Sequence, residues 1–415
     1  MKLLPFCICA MAGAAWGGKA PEVAAFEQFA DLAIKLPPVI RTENLAIYST
    51  NRLAFAMNNG LAVTRGGRIW VNWIAGGDSP DAFTAGNWSD DGGATWTDVR
   101  LVIDGHDGTV AGRNNIIGTY WLDPDGNLRL YTDQSMLHFD GRAGVWEAVC
   151  RNPDDAKPVW SAPRRIADGH VLNKPIVLRD GTWLLSAYNN ATWKDRHSPM
   201  YSFPGAFADL QRKVTCFAST DHGATWTARG VFAQPDGDWS ESQLVELRDG
   251  RVRCFIRTSS SKDRVGMMVS ESADGGRTWT QAHPIGSMDN PTARFQVQRL
   301  KSGRWLFVCH GRPDERPGRV LLTAYLSDDE GATWKGGLLL DKGPCSYPDA
   351  CQAEDGTIYV TNDHDRGGAA EIYLHRFTED DVLAGKIVSR NGRLGMLASR
   401  GMGSAFNRRR FPSAK

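Results

Sequence analysis

The chain has 415 residues, with 48 Lys and Arg against 47 Asp and Glu. That balance leaves no global field to gather nucleic acid or an anionic membrane surface, so any partner must be recognised at a local site. Fifteen Trp and 44 Gly point to many short strands joined by tight turns, with aromatic side chains wedged between packed sheets.

Residues 1–17, MKLLPFCICAMAGAAWG, combine one Lys, an apolar run and small residues near Ala14 to Gly17, the pattern of an export signal. The run is too short to span a bilayer, and no later stretch approaches the roughly 20 apolar residues of a membrane helix. The expected location is therefore periplasmic or extracellular. Six cysteines remain after cleavage: Cys150, Cys216, Cys254, Cys309, Cys345 and Cys351. None is spaced as a zinc ligand set, and no metal or cofactor motif stands out. Cys254 and Cys309 sit in apolar strand patterns and read as buried thiols, whereas Cys345 and Cys351 flank a loop and could pair after export.

Residues 41–57 are expected to supply a strand that closes a ring of sheets against the last one. From there a two-strand unit recurs: LAVTRGGRIWVNW, TYWLDPDGNLRLYT, PIVLRDGTWLLSAY, LVELRDGRVRCFIR, VQRLKSGRWLFVCH and CQAEDGTIYVTN, with turn glycines Gly67, Gly126, Gly181, Gly250, Gly303 and Gly356, 53 to 69 residues apart. Gly between alternating apolar residues marks a tight hairpin, because it accepts positive φ. A second signal falls between the hairpins. SDDGGATW (Ser89 to Trp96), STDHGATW (Ser219 to Trp226), SADGGRTW (Ser272 to Trp279) and SDDEGATW (Ser327 to Trp334) share S-x-D-x-G-x-T-W, and PDDAKPVW (Pro153 to Trp160) is a worn copy. Asp can tie the turn's backbone N–H groups, Gly permits the reversal, and Trp is left to pack between sheets. A catalytic or calcium role would need four equivalent sites, so the acidic turn reads as frame.

Units of about 55 residues with one hairpin and one further turn suit four-stranded blades. The expected fold is all-β: a single six-bladed β-propeller with acidic-turn repeats over residues 41–395. EDDVLAGKIV after Glu379 forms a short helix or a last strand, and residues 396–415 form a frayed tail. The repeated S-x-D-x-G-x-T-W turns resemble the Asp boxes of the sialidase (neuraminidase) superfamily, whose members are six-bladed propellers, across residues 45–380.

In a propeller, residues just before each first strand and just after each second strand gather on one face. These positions are almost all polar and include Arg113, Lys174, Glu241, Arg257, Arg294, His310, Arg312, Tyr347 and Arg366. Arginine forks suit a carboxylate. The resemblance implies a retaining exo-glycosidase acting on a terminal acidic sugar, with a Tyr nucleophile and a Glu base in place of two carboxylates. WSESQLVELRDGRVRCFIR resembles the family segment holding that Glu and a carboxylate-binding Arg, which would be Glu241 and Arg257; CSYPDACQAEDGTIYVTNDHDR resembles the nucleophile segment, giving Tyr347. The next Arg of the family's triad falls in CHGRPDERPGR, with Arg312 preferred to Arg319. Arg113, Arg294, Lys174, His310 and Arg366 are further substrate-binding candidates.

The first blade departs from the pattern, with Asn58 in AMNNGLAVT where the family has an Arg. The acid is assigned to Asp81, with Asp107 as the alternative. The expected partner is a glycan carrying an acidic sugar, and the chain bears no clear signal of oligomeric state. Two other readings stay open: a polysaccharide lyase in which His310 or Tyr347 takes a C5 proton, and a carbohydrate-binding propeller without catalysis.

Overall fold

All six hairpin glycines take nearly one conformation, with φ between +86° and +89°. At Gly67, Gly181, Gly250, Gly303 and Gly356 an added Cβ would meet nothing within 4 Å. Positive φ, and not crowding, is what calls for glycine there. The computed structural model describes residues 21–105, 112–136, 143–189, 207, 213–233, 241–258 and 267–402. The expected export signal and Asp107 lie outside the described residues.

Six antiparallel sheets follow in chain order, each built from consecutive sequence. Blade one holds Met57–Val63, Ile69–Ala75, Phe83–Ser89 and Leu101–Ile103; blade two runs from Arg113–Asn114 and Gly118–Leu122 to Arg164–Asp168. Blade three spans Ile176–Val177 to Thr227–Ala233, blade four Ser242–Glu246 to His283–Pro284, and blade five Gln296–Arg299 to Lys335–Asp341. Blade six comprises Cys345–Gln352, Ile358–His364, Glu371–Phe377 and Arg393–Arg400. The fold is the expected six-bladed β-propeller. Six of its apolar clusters lie one in each seam between neighbouring blades, and a further one gathers Met57, Ile74, Ile116, Ile117, Leu172 and Tyr347 from four blades.

Two expectations about the ends are corrected. Residues 41–57 do not supply a strand to blade six: Arg41, at their start, belongs to the strand Ile40–Arg41, which pairs with Leu101–Ile103 on the outer edge of blade one. Blade six already has four strands of its own, because residues 393–400, expected in part to fray, form its outermost strand. Closure comes from hydrogen bonds across the seam: Ala56 N–H donates to the Arg366 carbonyl at 2.9 Å and Leu61 N–H to Asp349 Oδ2 at 2.7 Å. The segment after Glu379 is helical, Glu379–Ala384, with Thr378 and Asp381 forming a reciprocal cap. Cys345 and Cys351 are free thiols. They lie on one strand, opposite His364 and Tyr359, roughly 17 Å apart at strand spacing and far beyond disulfide reach.

The acidic turns repeat atom for atom. In the first, Ser89 Oγ donates to Asp91 Oδ1 at 2.8 Å, and Asp91 accepts from Thr95 N–H at 2.8 Å and Thr95 Oγ1 at 2.6 Å. Asp221, Asp274 and Asp329 repeat the set with Thr225, Thr278 and Thr333. The box Trp side chains pack in the seams between blades: Trp279 in that of blades three and four, Trp334 in that of blades four and five. Trp96 packs onto blade six, which closes the circle.

These hydrogen bonds set how the fold responds to acid. The Thr95 hydroxyl and N–H hold Asp91 down at about 2, and Thr333 does the same for Asp329. Burial pushes His310 and His375 down to about 4. His375 is held as a neutral ring, Nε2 against Asn362 Oδ1 at 2.8 Å and Nδ1 accepting from Gly395 N–H at 3.2 Å. A histidine with a depressed folded pKa costs stability as pH falls from about 6.5 to about 4, up to about 3 kcal/mol each. A depressed Asp contributes stability above about 4 that is lost on the way down to about 2. Thermal melts are therefore expected to decline in two stages, and His375→Gln should remove part of the first stage only.

Candidate active site

Glu241 and Arg257 stand at the same end of one hairpin, since Ser242 pairs with Ile256 and Arg257 N–H reaches the Glu241 carbonyl at 3.2 Å. Their sixteen-residue spacing is thus the length of that hairpin. Tyr347 arrives from blade six by another device. The register slips between Ser346 and Asp349, and Tyr347 takes φ +51°, a bulge that re-aims its side chain along the axis. Asn58 holds this conformation: its Nδ2 donates to the Tyr347 carbonyl at 2.8 Å and to the Thr361 carbonyl at 3.3 Å.

The three side chains close a triangle. Tyr347 Oη donates to Glu241 Oε1 at 2.7 Å, and Arg257 Nη1 donates to Tyr347 Oη at 2.8 Å and to Glu241 Oε1 at 2.5 Å. Three guanidiniums surround the phenol ring, Arg366 at 4.5 Å, Arg319 at 5.6 Å and Arg257 at 5.8 Å from its centroid. They line a cavity of about 230 Å³ with Asp78, Tyr188 and Thr292, and Met57 and Ile117 form an apolar wall.

Electrostatics differ among these groups. Burial pushes Tyr347 up to about 12, although Arg257 draws it down. Burial would lower Arg257 and Arg366, but Glu241 and Tyr347 hold the first above its ordinary value and Asp363 holds the second. Arg319 is lowered by burial and by repulsion from Arg366. Arg366 is oriented by a fork to Asp363, Nε to Oδ1 at 3.1 Å and Nη2 to Oδ2 at 3.0 Å, and its Nη1 touches Met57 Sδ. It therefore comes from blade six to the pocket-facing edge of the first-blade strand that carries Asn58.

Other sequence candidates lie elsewhere. Arg312 points outward, two-thirds exposed, with Asp314 and Glu315; Arg319, the second choice, faces the pocket because its Nη2 is tied back to the Thr292 carbonyl at 2.8 Å. Arg294 is fully buried beneath the pocket, donating to Asp349 Oδ1 at 3.1 Å, Asn173 Oδ1 at 3.0 Å and the carbonyls of Asn59 and Leu172. Lys174 binds the other oxygen of Asp349. It lines a cleft of about 500 Å³ at the far mouth of the channel, where the innermost strands end at Val63, Glu246, Arg299 and Gln352. That cleft is larger but holds none of the triangle. Arg113 is buried with Nη1 on the Pro37 carbonyl, and His310 is buried with Nδ1 facing the Val320 carbonyl at 3.1 Å; neither lines the pocket. Asp81 is half-buried beside Ser79, while Asp78, three residues earlier, lines the cavity. Met57 and Ile117, being apolar, carry no signal that sets them apart in sequence from the strands they adjoin.

Residues 67–360 match the model of the BNR repeat-like domain family. The chain belongs to that family. It is 23% identical over 282 residues to a sialidase of Bacteroides fragilis, covering 61% of this chain and 49% of that protein. It is 31% identical over 143 residues to the Vibrio cholerae sialidase, covering 30% and 18%. The chain thus spans half or less of the length of these curated relatives. A Hadza microbial sialidase shares the fold with TM-score 0.58 at 19% identity, over 74% of this chain and 63% of that one. The intramolecular trans-sialidase of Ruminococcus gnavus shares it with TM-score 0.57 at 13% identity, over 83% and 98%.

Placing Arg294 in a buried network and Arg312 at the surface predicts opposite sensitivities. Arg294→Met leaves Asp349 buried with one cation fewer and should cost about 3 to 5 kcal/mol in urea unfolding. Arg312→Ala should leave the unfolding midpoint where it is.

Proposed function

We propose that the pocket removes terminal sialic-acid-type sugars from glycans, acting as an exo-glycosidase that retains anomeric configuration. The observation that carries this reading is the Tyr347, Glu241 and Arg257 triangle: a phenol whose proton is aimed at a carboxylate and whose oxygen already accepts from a guanidinium. A carboxylate nucleophile would be repelled by an acidic substrate; a neutral phenol is not. The similarity to sialidases supports the same reading.

In the first step Tyr347 Oη bonds to the anomeric carbon while its proton passes to Glu241 Oε1. The bond from that carbon to the aglycone oxygen breaks, and that oxygen takes a proton from an acid, a role that falls to Asp78 because it is a carboxyl lining the cavity outside the triangle. Water then attacks the tyrosyl glycoside, Asp78 receives its proton, and Glu241 returns the first proton to the tyrosine. Arg257, Arg319 and Arg366 bind the sugar carboxylate; Arg319 has no carboxylate partner among the described residues, so it has most to gain from one. A cavity of about 230 Å³ favours a single sugar residue over a polymer segment. The lyase reading that used His310 as base loses support, since that ring is buried outside the pocket. Export to a periplasmic or extracellular glycan suits this activity and remains part of the proposal.

Incubation with 2,3-difluorosialic acid should label Tyr347, read as an added sugar mass on its peptide. Tyr347→Phe should lower kcat/KM on aryl sialosides by about a thousandfold or more. Arg319→Ala should cost roughly tenfold to a hundredfold, and Arg312→Ala should cost almost nothing. Full activity of Tyr347→Phe would remove the nucleophile from the scheme.

A further inference from the structure

Tyr188 closes the second strand of blade three, Trp183–Asn189, and its ring is pinned on several sides. Its backbone exchanges both hydrogen bonds with His170, at 2.8 and 3.0 Å. The two rings lie 5.5 Å apart, and His170 Nδ1 is itself held at 2.5 Å from Asp133 Oδ2 in a buried pair. Only 1% of Tyr188 is exposed, yet its side chain lines the cavity, and its hydroxyl has no partner among the described residues. Glu241 repeats the situation: Oε1 serves Arg257 and Tyr347, while the buried Oε2 has no partner among the described residues.

Burying an unpaired hydroxyl is destabilising, and phenylalanine would fill the same ring seat without that cost. Two such atoms in one cavity call for one complementary group. An ionised Glu241 Oε2 can only accept, and a neutral phenol can donate. Burial and the nearby charge of Glu241 raise Tyr188 far above the ordinary range, so it stays a neutral donor and is no second nucleophile. A group that gives one hydrogen bond and takes another at a single oxygen is a hydroxyl.

We infer that Tyr188 is a specificity-determining residue, its hydroxyl and Glu241 Oε2 together receiving one hydroxyl of the bound sugar. This rests on reading the pocket as the site for an acidic sugar, and it assigns a contact beyond the carboxylate and the reacting carbon.

The test is Tyr188→Phe, which keeps the ring and removes the oxygen. The variant should melt at a higher temperature than the wild type, because a buried unpaired group has gone. It should bind N-acetylneuraminic acid about tenfold to a hundredfold more weakly by calorimetry. Among singly deoxygenated N-acetylneuraminic acids, one should bind the wild type as weakly as the parent sugar binds the variant, and that analogue should be insensitive to the substitution. Unchanged affinity in Tyr188→Phe overturns the inference, as does a lower melting temperature, which would make the hydroxyl a structural one. Calorimetry keeps this separate from the proposed reaction: if aryl sialosides are not cleaved but the monosaccharide binds in a Tyr188-dependent way, the contact stands and the hydrolase reading falls. If the wild type does not bind the monosaccharide, the contact falls with it.

Discussion

A buried ionic plug on the propeller axis holds the rest in register. Asp349 takes Arg294 on one carboxylate oxygen and, on the other, Lys174 and the Leu61 N–H. Arg294 reaches on to Asn59, Leu172 and Asn173. One network thus joins the inner segments of blades one, three, five and six. Buried ion pairs contribute little net stability over apolar packing, but breaking one is costly, so their effect is to select one arrangement of parts. Asp349 stands two residues beyond Tyr347, past the bulge. What fixes the axis therefore fixes Tyr347, and Arg294 and Lys174, which look like substrate ligands in sequence, are consumed in holding the channel.

The seam between blades one and six carries both ring closure and chemistry. Asn58 spends its amide on the Tyr347 carbonyl and so secures a left-handed backbone beside the pocket. Arg366 crosses from the opposite side of the seam to Met57, oriented by Asp363, which also accepts from the Asn58 N–H. Asn58 and Arg366 are thus coupled through a single carboxylate. Any loosening of the seam would displace Arg366 and Tyr347 together.

The frame was open to sequence reading because it repeats. Six glycines with one φ and four Asp boxes with the same hydrogen bonds impose spacing that survives any change between them. The Glu241 and Arg257 pair was equally legible, since a hairpin converts a fixed spacing into a fixed distance. Arg312 and Arg319 show where that logic stops. Both lie in one loop without strand register, and their side chains are sorted by a carbonyl on Thr292 and by acids at positions 314 and 315, contacts no spacing rule encodes. Arg294 and Lys174 differ for another reason: a strand start near the axis brings a residue toward the pocket, but a long side chain there can also turn down into the channel. The outer strand of blade six was missed because Arg393–Arg400 alternates weakly, half of it facing solvent.

The pocket's charges constrain the order of events. Three guanidiniums around one phenol would ordinarily favour its ionised form, yet burial wins and keeps Tyr347 at about 12. A substrate carboxylate entering this group neutralises part of the positive field, which makes the free phenolate still less accessible. In the proposed reaction the proton must therefore leave as the new bond forms, with Glu241 within reach at that moment, as its 2.7 Å contact allows. Arg257 bridges the two groups, so charge moving from carboxylate to phenol oxygen stays beside the same cation. Little reorganisation is needed, because the dipoles and charges that serve the transferred proton are already set by the fold.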